Sequence, residues 1–158
     1  MSTMVLGIGN LVMSDDGVGV QVLQRMQREC RFPAGVELLD GGTLGLDLLP
    51  RLEGVDHLLV VDAVETGKAP GTLVRLVDEE IPQALATKVS PHQMGLQDLL
   101  VVARLQGFAP QEMVLWGVQP ESIEMGMELS DPVNSQVEIL IEKTLEELKR
   151  WGISPECD

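Results

Sequence analysis

Basic and aromatic side chains are scarce in this chain: 11 Lys and Arg stand against 25 Asp and Glu, there is no Tyr, and Phe and Trp occur twice each. The resulting net charge of −14 repels phosphate backbones and anionic lipid, and no basic stripe offsets it, so nucleic acid is excluded as a partner. Cysteine is equally sparse. Cys30 and Cys157 lie far apart without CxxC spacing, which predicts neither a disulfide framework nor a thiolate zinc site and points to a reducing, cytoplasmic compartment. No apolar run reaches membrane-spanning length, and Met4 to Gly9 is too short and too soon broken by glycine to act as a secretory h-region. The expectation is a soluble protein with no membrane partner.

What is abundant is aliphatic. Hydrophobic residues make up 44% of the chain and aromatic ones 3%, so the interior must be built from Val, Leu, Ile and Met, a composition suited to a parallel sheet buried on both faces. At 158 residues the chain can bury one sizeable core without disulfides, and a single domain over residues 1–158 is expected.

Periodicity places the elements. Met4 to Gly9 and His57 to Asp62 are short apolar runs ending in polar or turn residues, the pattern of buried strands. Val36 to Asp40 and Glu112 to Val118 read as further strands. Helices are expected after Asp15 or Asp16, over Leu44 to Leu52, over Met94 to Leu105, and from Val133 to Trp151. The last would bury Val137, Leu140, Ile141, Leu145 and Leu148 and turn Glu138, Glu142, Glu146, Glu147, Lys149 and Arg150 to water. Between Asp62 and the strand at Thr72 to Val77 lie Gly67, Pro70 and Gly71, which leave no room for a crossover helix, so that strand should run antiparallel to its neighbours. Pro82 and Pro91 bracket a predicted loop. The βαβα order implies a three-layer α/β/α sandwich.

In such a sheet the ligand crevice lies at the carboxyl ends of the parallel strands. Asp62 closes the third strand, Asp16 stands in the turn after the first, and His92 immediately precedes the helix that feeds the fifth, so all three are delivered to one rim. Two carboxylates and an imidazole form a mixed oxygen and nitrogen set able to hold a divalent metal or to run acid/base chemistry on a peptide. Asp40-Gly41-Gly42-Thr43 would wall the same crevice. Competing roles exist for each residue. One of Asp15 and Asp16 can serve as a helix cap, Asp62 can be held by loop amides, and His57, at the opposite strand end, reads as a surface or satisfied core histidine.

Other motifs are incomplete. Gly7-Ile8-Gly9-Asn10 after a strand resembles a dinucleotide fingerprint, and Asp40 could serve a ribose, but Val12 occupies the third glycine position and the helix begins too late to meet a pyrophosphate. There is no GxSxG elbow for Ser14 or Ser90 to occupy and no HExxH, so any metal must be held by residues from separate loops.

Taken together, Gly7-Ile8-Gly9-Asn10, Ser14-Asp15-Asp16-Gly17-Val18-Gly19, Asp40-Gly41-Gly42-Thr43, Val61-Asp62-Ala63, Ser90-Pro91-His92-Gln93 and Gly117-Val118-Gln119-Pro120-Glu121-Ser122 resemble the NiFe hydrogenase maturation proteases over nearly the whole chain. The resemblance implies a cytoplasmic endopeptidase that removes a C-terminal extension from the hydrogenase large-subunit precursor after nickel insertion. It implies a five-stranded sheet of order 2-1-3-5-4 with strand 4 antiparallel. It also implies metal contact by Asp16, Asp62 and His92 and substrate discrimination by Asp40, Gly41, Gly42 and Thr43. Many members carry Glu where this chain has Asp16, one methylene shorter. Nickel is then expected as cargo of the precursor rather than as a resident cofactor, with Asp16 or Asp62 as the base and the protease a monomer. Two other classes compete: a nucleotide-binding α/β domain, and a nickel-dependent maturation chaperone that never cuts.

Overall fold

Short, nearly unbroken aliphatic runs buried on both faces decide the central layer, and the computed structural model shows it as a five-stranded sheet. The structure describes the backbone of residues 2–42, 45–85 and 91–158, and the side chains within them except at 42–46 and 83–95. Strands β1 (Thr3–Ile8), β2 (Val36–Gly42), β3 (His57–Ala63), β4 (Leu73–Val77) and β5 (Glu112–Val118) lie in the order β2-β1-β3-β5-β4. All neighbours are parallel except β4, which pairs antiparallel with β5 from Leu73 opposite Val118 to Val77 opposite Val114. The short, helix-free connection from β3 to β4 forces this reversal, as the glycines and proline there predict.

Helices α1 (Val18–Glu29), α2 (Leu49–Leu52), α3 (Glu80–Leu85), α4 (Pro91–Leu105), α5 (Asp131–Asn134) and α6 (Val137–Arg150) cover the two faces. Strand residues of alternate parity divide the core between them. Met4, Leu6, Ile8, Leu58, Val60, Met113 and Leu115 pack with Leu52, Ile81, Leu96, Leu99 and Ala103 of α2, α3 and α4. Val5, Leu59, Val61, Val114 and Val118 pack with Val22, Leu23, Met26, Leu140 and Leu148 of α1 and α6. Three layers follow directly from two apolar faces on every central strand.

Several boundaries and roles differ from the sequence reading. The expected helix at 44–52 is a 3-10 turn, Gly45–Leu48, running into α2, and Thr43 and Leu44 lie outside the described residues. Pro82 stands inside α3 rather than in a loop, in the first turn, where its missing N–H costs nothing. The closing helix is broken into α5 and α6 at Ser135 and Gln136. Glu147 is not solvated: its carboxylate accepts hydrogen bonds from Arg75 Nε at 2.5 Å, Trp116 Nε1 at 3.2 Å and Arg150 Nε at 3.1 Å. Helical spacing put it on the outer face, but Arg75 on edge strand β4 reaches over and covers it.

Burial pushes the Glu147 carboxyl up, and the hydrogen bonds from Arg75, Arg150 and Trp116 more than reverse this, leaving it below the usual carboxylate range. A carboxyl depressed in the folded state contributes stability that is present above its unfolded value, about 4.3, and lost as pH falls through the folded value. Glu147→Gln should therefore flatten the loss of stability below about pH 4.5, read as melting temperature against pH.

The two cysteines also correct the sequence reading. Cys30 and Cys157 form a disulfide across a two-residue antiparallel ladder, 127 positions apart in the chain. Linear separation does not measure spatial distance: the tail after α6 returns along the end of α1, and Asp158 N donates to Glu29 O at 2.9 Å. The bond sits at the far end of the 12-residue α1 from Asp16, about 18 Å along the axis. Its reduction should lower the melting temperature, since a loop of this length constrains the unfolded chain by about 5 kcal/mol in the chain-entropy view. Peptidase activity at 25 °C should be unchanged by reductant, measured as the rate of precursor cleavage.

Candidate active site

After β1 the chain turns at Gly9, whose φ of +137° an L side chain rarely adopts and whose missing Cβ would lie 1.9 Å from Asp16 O. Glycine is required here on both counts, and it lets the turn Ser14–Gly17 press against the end of the strand. Asn10 N donates to Asp16 Oδ2 at 3.1 Å, which ties the carboxylate to the rim of β1. Asp16 is 8% exposed.

Its neighbour Asp15 has a different role from the expected cap. Helix α1 starts at Val18 with Gly17 as its N-cap and no side-chain cap bond. The fully buried Asp15 carboxylate instead accepts from Glu121 N at 2.9 Å, Ser122 N at 3.1 Å, Ser130 N at 2.8 Å and Ser130 Oγ at 2.7 Å. Four donors satisfy a buried charge that would otherwise be costly, and they bind the segment after β5 to the turn that carries Asp16. The sequence motifs at Ser14 to Gly19 and at Gly117 to Ser122 are thus two halves of one contact. Sequence reasoning missed it, although an Asp-Asp pair with only one cap position available was a signal.

Asp62 is buried near the end of β3, paired in register with Gly117 of β5. Leu58 and Val60 face the α4 layer, and Asp62 shares their parity, so the carboxyl is on the α4 side of the sheet. Its Oδ1 accepts from Ala63 N at 2.8 Å. The loop that follows is held by Gln119, a residue of the Gly117 to Ser122 motif to which the sequence reading assigns no role of its own. Gln119 Oε1 accepts from Thr66 N at 2.6 Å and Thr66 Oγ1 at 2.8 Å, and its Nε2 donates to Glu65 Oε2 at 2.9 Å. Across the sheet, a Cβ on Gly19 would lie 2.0 Å from Val61 O and 2.6 Å from Ile8 O. Helix α1 therefore touches the backbone of β1 and β3 beside both carboxylates.

His92 lies within α4 rather than before it, as its second residue, directly after Pro91. Proline suits the first helical position, having no N–H to leave unbonded, so the helix begins earlier than hydrophobic periodicity alone indicates. The His92 side chain lies outside the described residues. Asp40, Gly41 and Gly42 belong to the end of β2 itself: Asp40 pairs with Gly7 and Gly42 with Ile8 across a register shift, on the same rim, while Thr43 is not among the described residues. His57 is buried at the opposite rim and stacks on Trp151 with ring centroids 4.7 Å apart, as its strand position suggests. Among the described residues no group of three His, Cys, Asp or Glu side chains is arranged to hold a metal ion.

The glycines of the dinucleotide-like stretch are accounted for by packing. Gly9 fits under Asp16, and Gly7 faces Gly19 O, which a Cβ would approach to 2.6 Å. Comparison with known proteins then decides the class. A profile of hydrogenase maturation proteases matches residues 20–147. The chain is 40% identical over 154 residues to a hydrogenase 2 maturation protease of Escherichia coli K12, covering 97% of this chain and 94% of that protein. The chain belongs to the hydrogenase maturation protease family. The protease is also 45% identical over 152 residues to a hydrogenase expression/formation protein, HupD, of Rhodobacter capsulatus, covering 95% of this chain and 72% of that one. Its fold superposes on the solved hydrogenase maturating endopeptidase HybD of E. coli with a TM-score of 0.97 and 38% identity, over 99% and 98% of the two chains. A NiFe hydrogenase maturation protease of Thermococcus kodakarensis gives a TM-score of 0.76 at 30% identity, over 94% and 99% of the two chains. The protease is a hydrolase of peptide bonds, and its strand order and single antiparallel strand are those expected for the family.

Proposed function

We propose that the protease removes the C-terminal extension of a NiFe hydrogenase large-subunit precursor once nickel is in place, acting as a cytoplasmic monomer whose single domain spans residues 1–158. The observation that carries this reading is the buried Asp62 on the α4 side of the carboxyl rim, with Asp16 held at the same rim by Asn10. Asp62, Asp16 and His92 complete the coordination of nickel that arrives in the precursor, so a loaded precursor docks with its scissile bond in register. Asp40 and Gly41, with Gly42 and Thr43, line the approach, where glycine lets a peptide backbone come close.

The bound ion polarises the scissile carbonyl or a water. A carboxylate, Asp16 or Asp62, takes the proton as the water oxygen bonds to the carbonyl carbon, and the proton passes to the amide nitrogen as the C–N bond breaks. No helix among the described residues is long and apolar enough to cross a membrane. The acidic surface favours approach by a partner with basic side chains near the cleavage site.

The test is incubation of purified protease with nickel-loaded and with metal-free precursor, followed by mass spectrometry of the large subunit. Trimming of the loaded form alone is expected. Equal trimming of both would overturn nickel recognition, and binding without any trimming would favour the chaperone.

A further inference from the structure

The segment after β5 leaves apolar side chains in water that the core does not use. Met125 is 86% and Met127 69% exposed, and Ile123 and Val12 are exposed beside them. Hydrogen bonds bring these segments together: Gly126 N donates to Val12 O at 2.9 Å, Ser14 N to Gly126 O at 2.7 Å, the Ser14 hydroxyl Oγ to Glu124 O at 2.6 Å and Asp15 N to Ser122 O at 3.1 Å. The carbonyls of Ser122, Glu124 and Gly126 thus point inward in alternation, and a Cβ on Gly126 would meet Ser14 Oγ at 3.1 Å. The apolar residues that follow each of them, Ile123, Met125 and Met127, are exposed.

This is not a floppy loop exposing residues by chance. The Asp15 carboxylate clamps both of its ends, at Glu121 and Ser122 and at Ser130, and it adjoins Asp16 in the chain. A clustered, rigidly mounted apolar surface on a soluble protein marks an interaction site, and methionine adapts to the partner it meets. Charge narrows the partner. Glu121, Glu124 and Glu128 are exposed around the apolar side chains, and no Lys or Arg occurs between Arg104 and Lys143.

We propose that Val12, Ile123, Met125 and Met127 form the docking surface for the precursor, receiving an apolar stretch of it that is bracketed by basic side chains. The inference rests on the proteolytic reading above. Docking here sets precursor affinity, and the bond-breaking groups at the rim remain untouched.

The experiment measures kcat and KM for cleavage of nickel-loaded precursor by the parent protease and by M125S/M127S, E124K/E128K and Leu105→Ser. Leu105, 81% exposed on α4, is the apolar control outside the surface. Both double variants should raise KM about tenfold with kcat within about twofold, because docking area and charge are lost while chemistry is not. Leu105→Ser should match the parent. An unchanged KM in M125S/M127S, a fall in kcat alone, or an equal rise in Leu105→Ser would overturn the docking surface. An unchanged KM in E124K/E128K would overturn the basic character of the partner segment. A parent that does not cleave would instead refute the proteolytic reading, which separates the two failures.

Discussion

Asp62→Asn is expected to slow precursor cleavage by about a thousandfold, the scale set by removing a positioned acid/base group, and His92→Ala to do the same. The amide has the shape of the carboxylate, and its oxygen can keep the bond from Ala63 N, so the β3 terminus need not move. What is lost is the negative charge and the proton acceptor. The fold should survive with a stability change of about 1–2 kcal/mol, consistent with one altered buried hydrogen-bonding group. Mass spectrometry of the large subunit reports the rate, and circular dichroism with a melting curve reports the fold. Cleavage at the parental rate in either variant would remove that residue from the chemistry. Asp16→Asn should be milder in stability terms, since Asn10 N can still donate to the amide oxygen.

The second large effect concerns the frame that holds the site. Gly19→Val should destabilise the protease by about 3 kcal/mol or more, lowering the melting temperature by about 6–12 °C for a domain of this size. The neighbours that a Cβ would strike at 2.0 and 2.6 Å are carbonyl oxygens of Val61 and Ile8, not the yielding ends of side chains. Relief requires helix α1 to lift from the sheet, and α1 follows directly on the turn bearing Asp16. Activity at 15 °C, where the variant is still folded, should therefore also fall. A variant with parental melting temperature would mean that α1 can shift without cost, contrary to the tight packing of a protein interior.

How much of this was readable in advance depends on whether a feature is local. Strands β1, β3 and β5 announce themselves as unbroken aliphatic runs because both faces are buried, and the reversal of β4 follows from a connection too short for a crossover helix. Placement of Asp16 and Asp62 at one rim needed only strand direction. The start of α4 lies ahead of its periodic pattern because periodicity registers the first apolar contact, whereas Pro91 can begin a helix before any contact is made.

Features made between distant segments were out of reach. Glu147 has the helical spacing of a solvated residue, and only the approach of Arg75, 72 positions earlier, encloses it. Asp15 looks like a cap until Ser130, 115 residues on, supplies its hydroxyl and amide. The Cys30 to Cys157 bond depends on where the tail comes back, which no spacing rule encodes.

By itself, then, the sequence determined the layer architecture, the direction of each main strand and the rim to which the two acids are delivered, because these follow from burial pattern and chain connectivity. Only the tertiary structure decided which of two adjacent aspartates faces the rim and which clamps a loop, and which glutamate is enclosed. Hydrogen bonds to a buried charge form between groups brought together by folding, and a linear pattern carries no record of who meets whom.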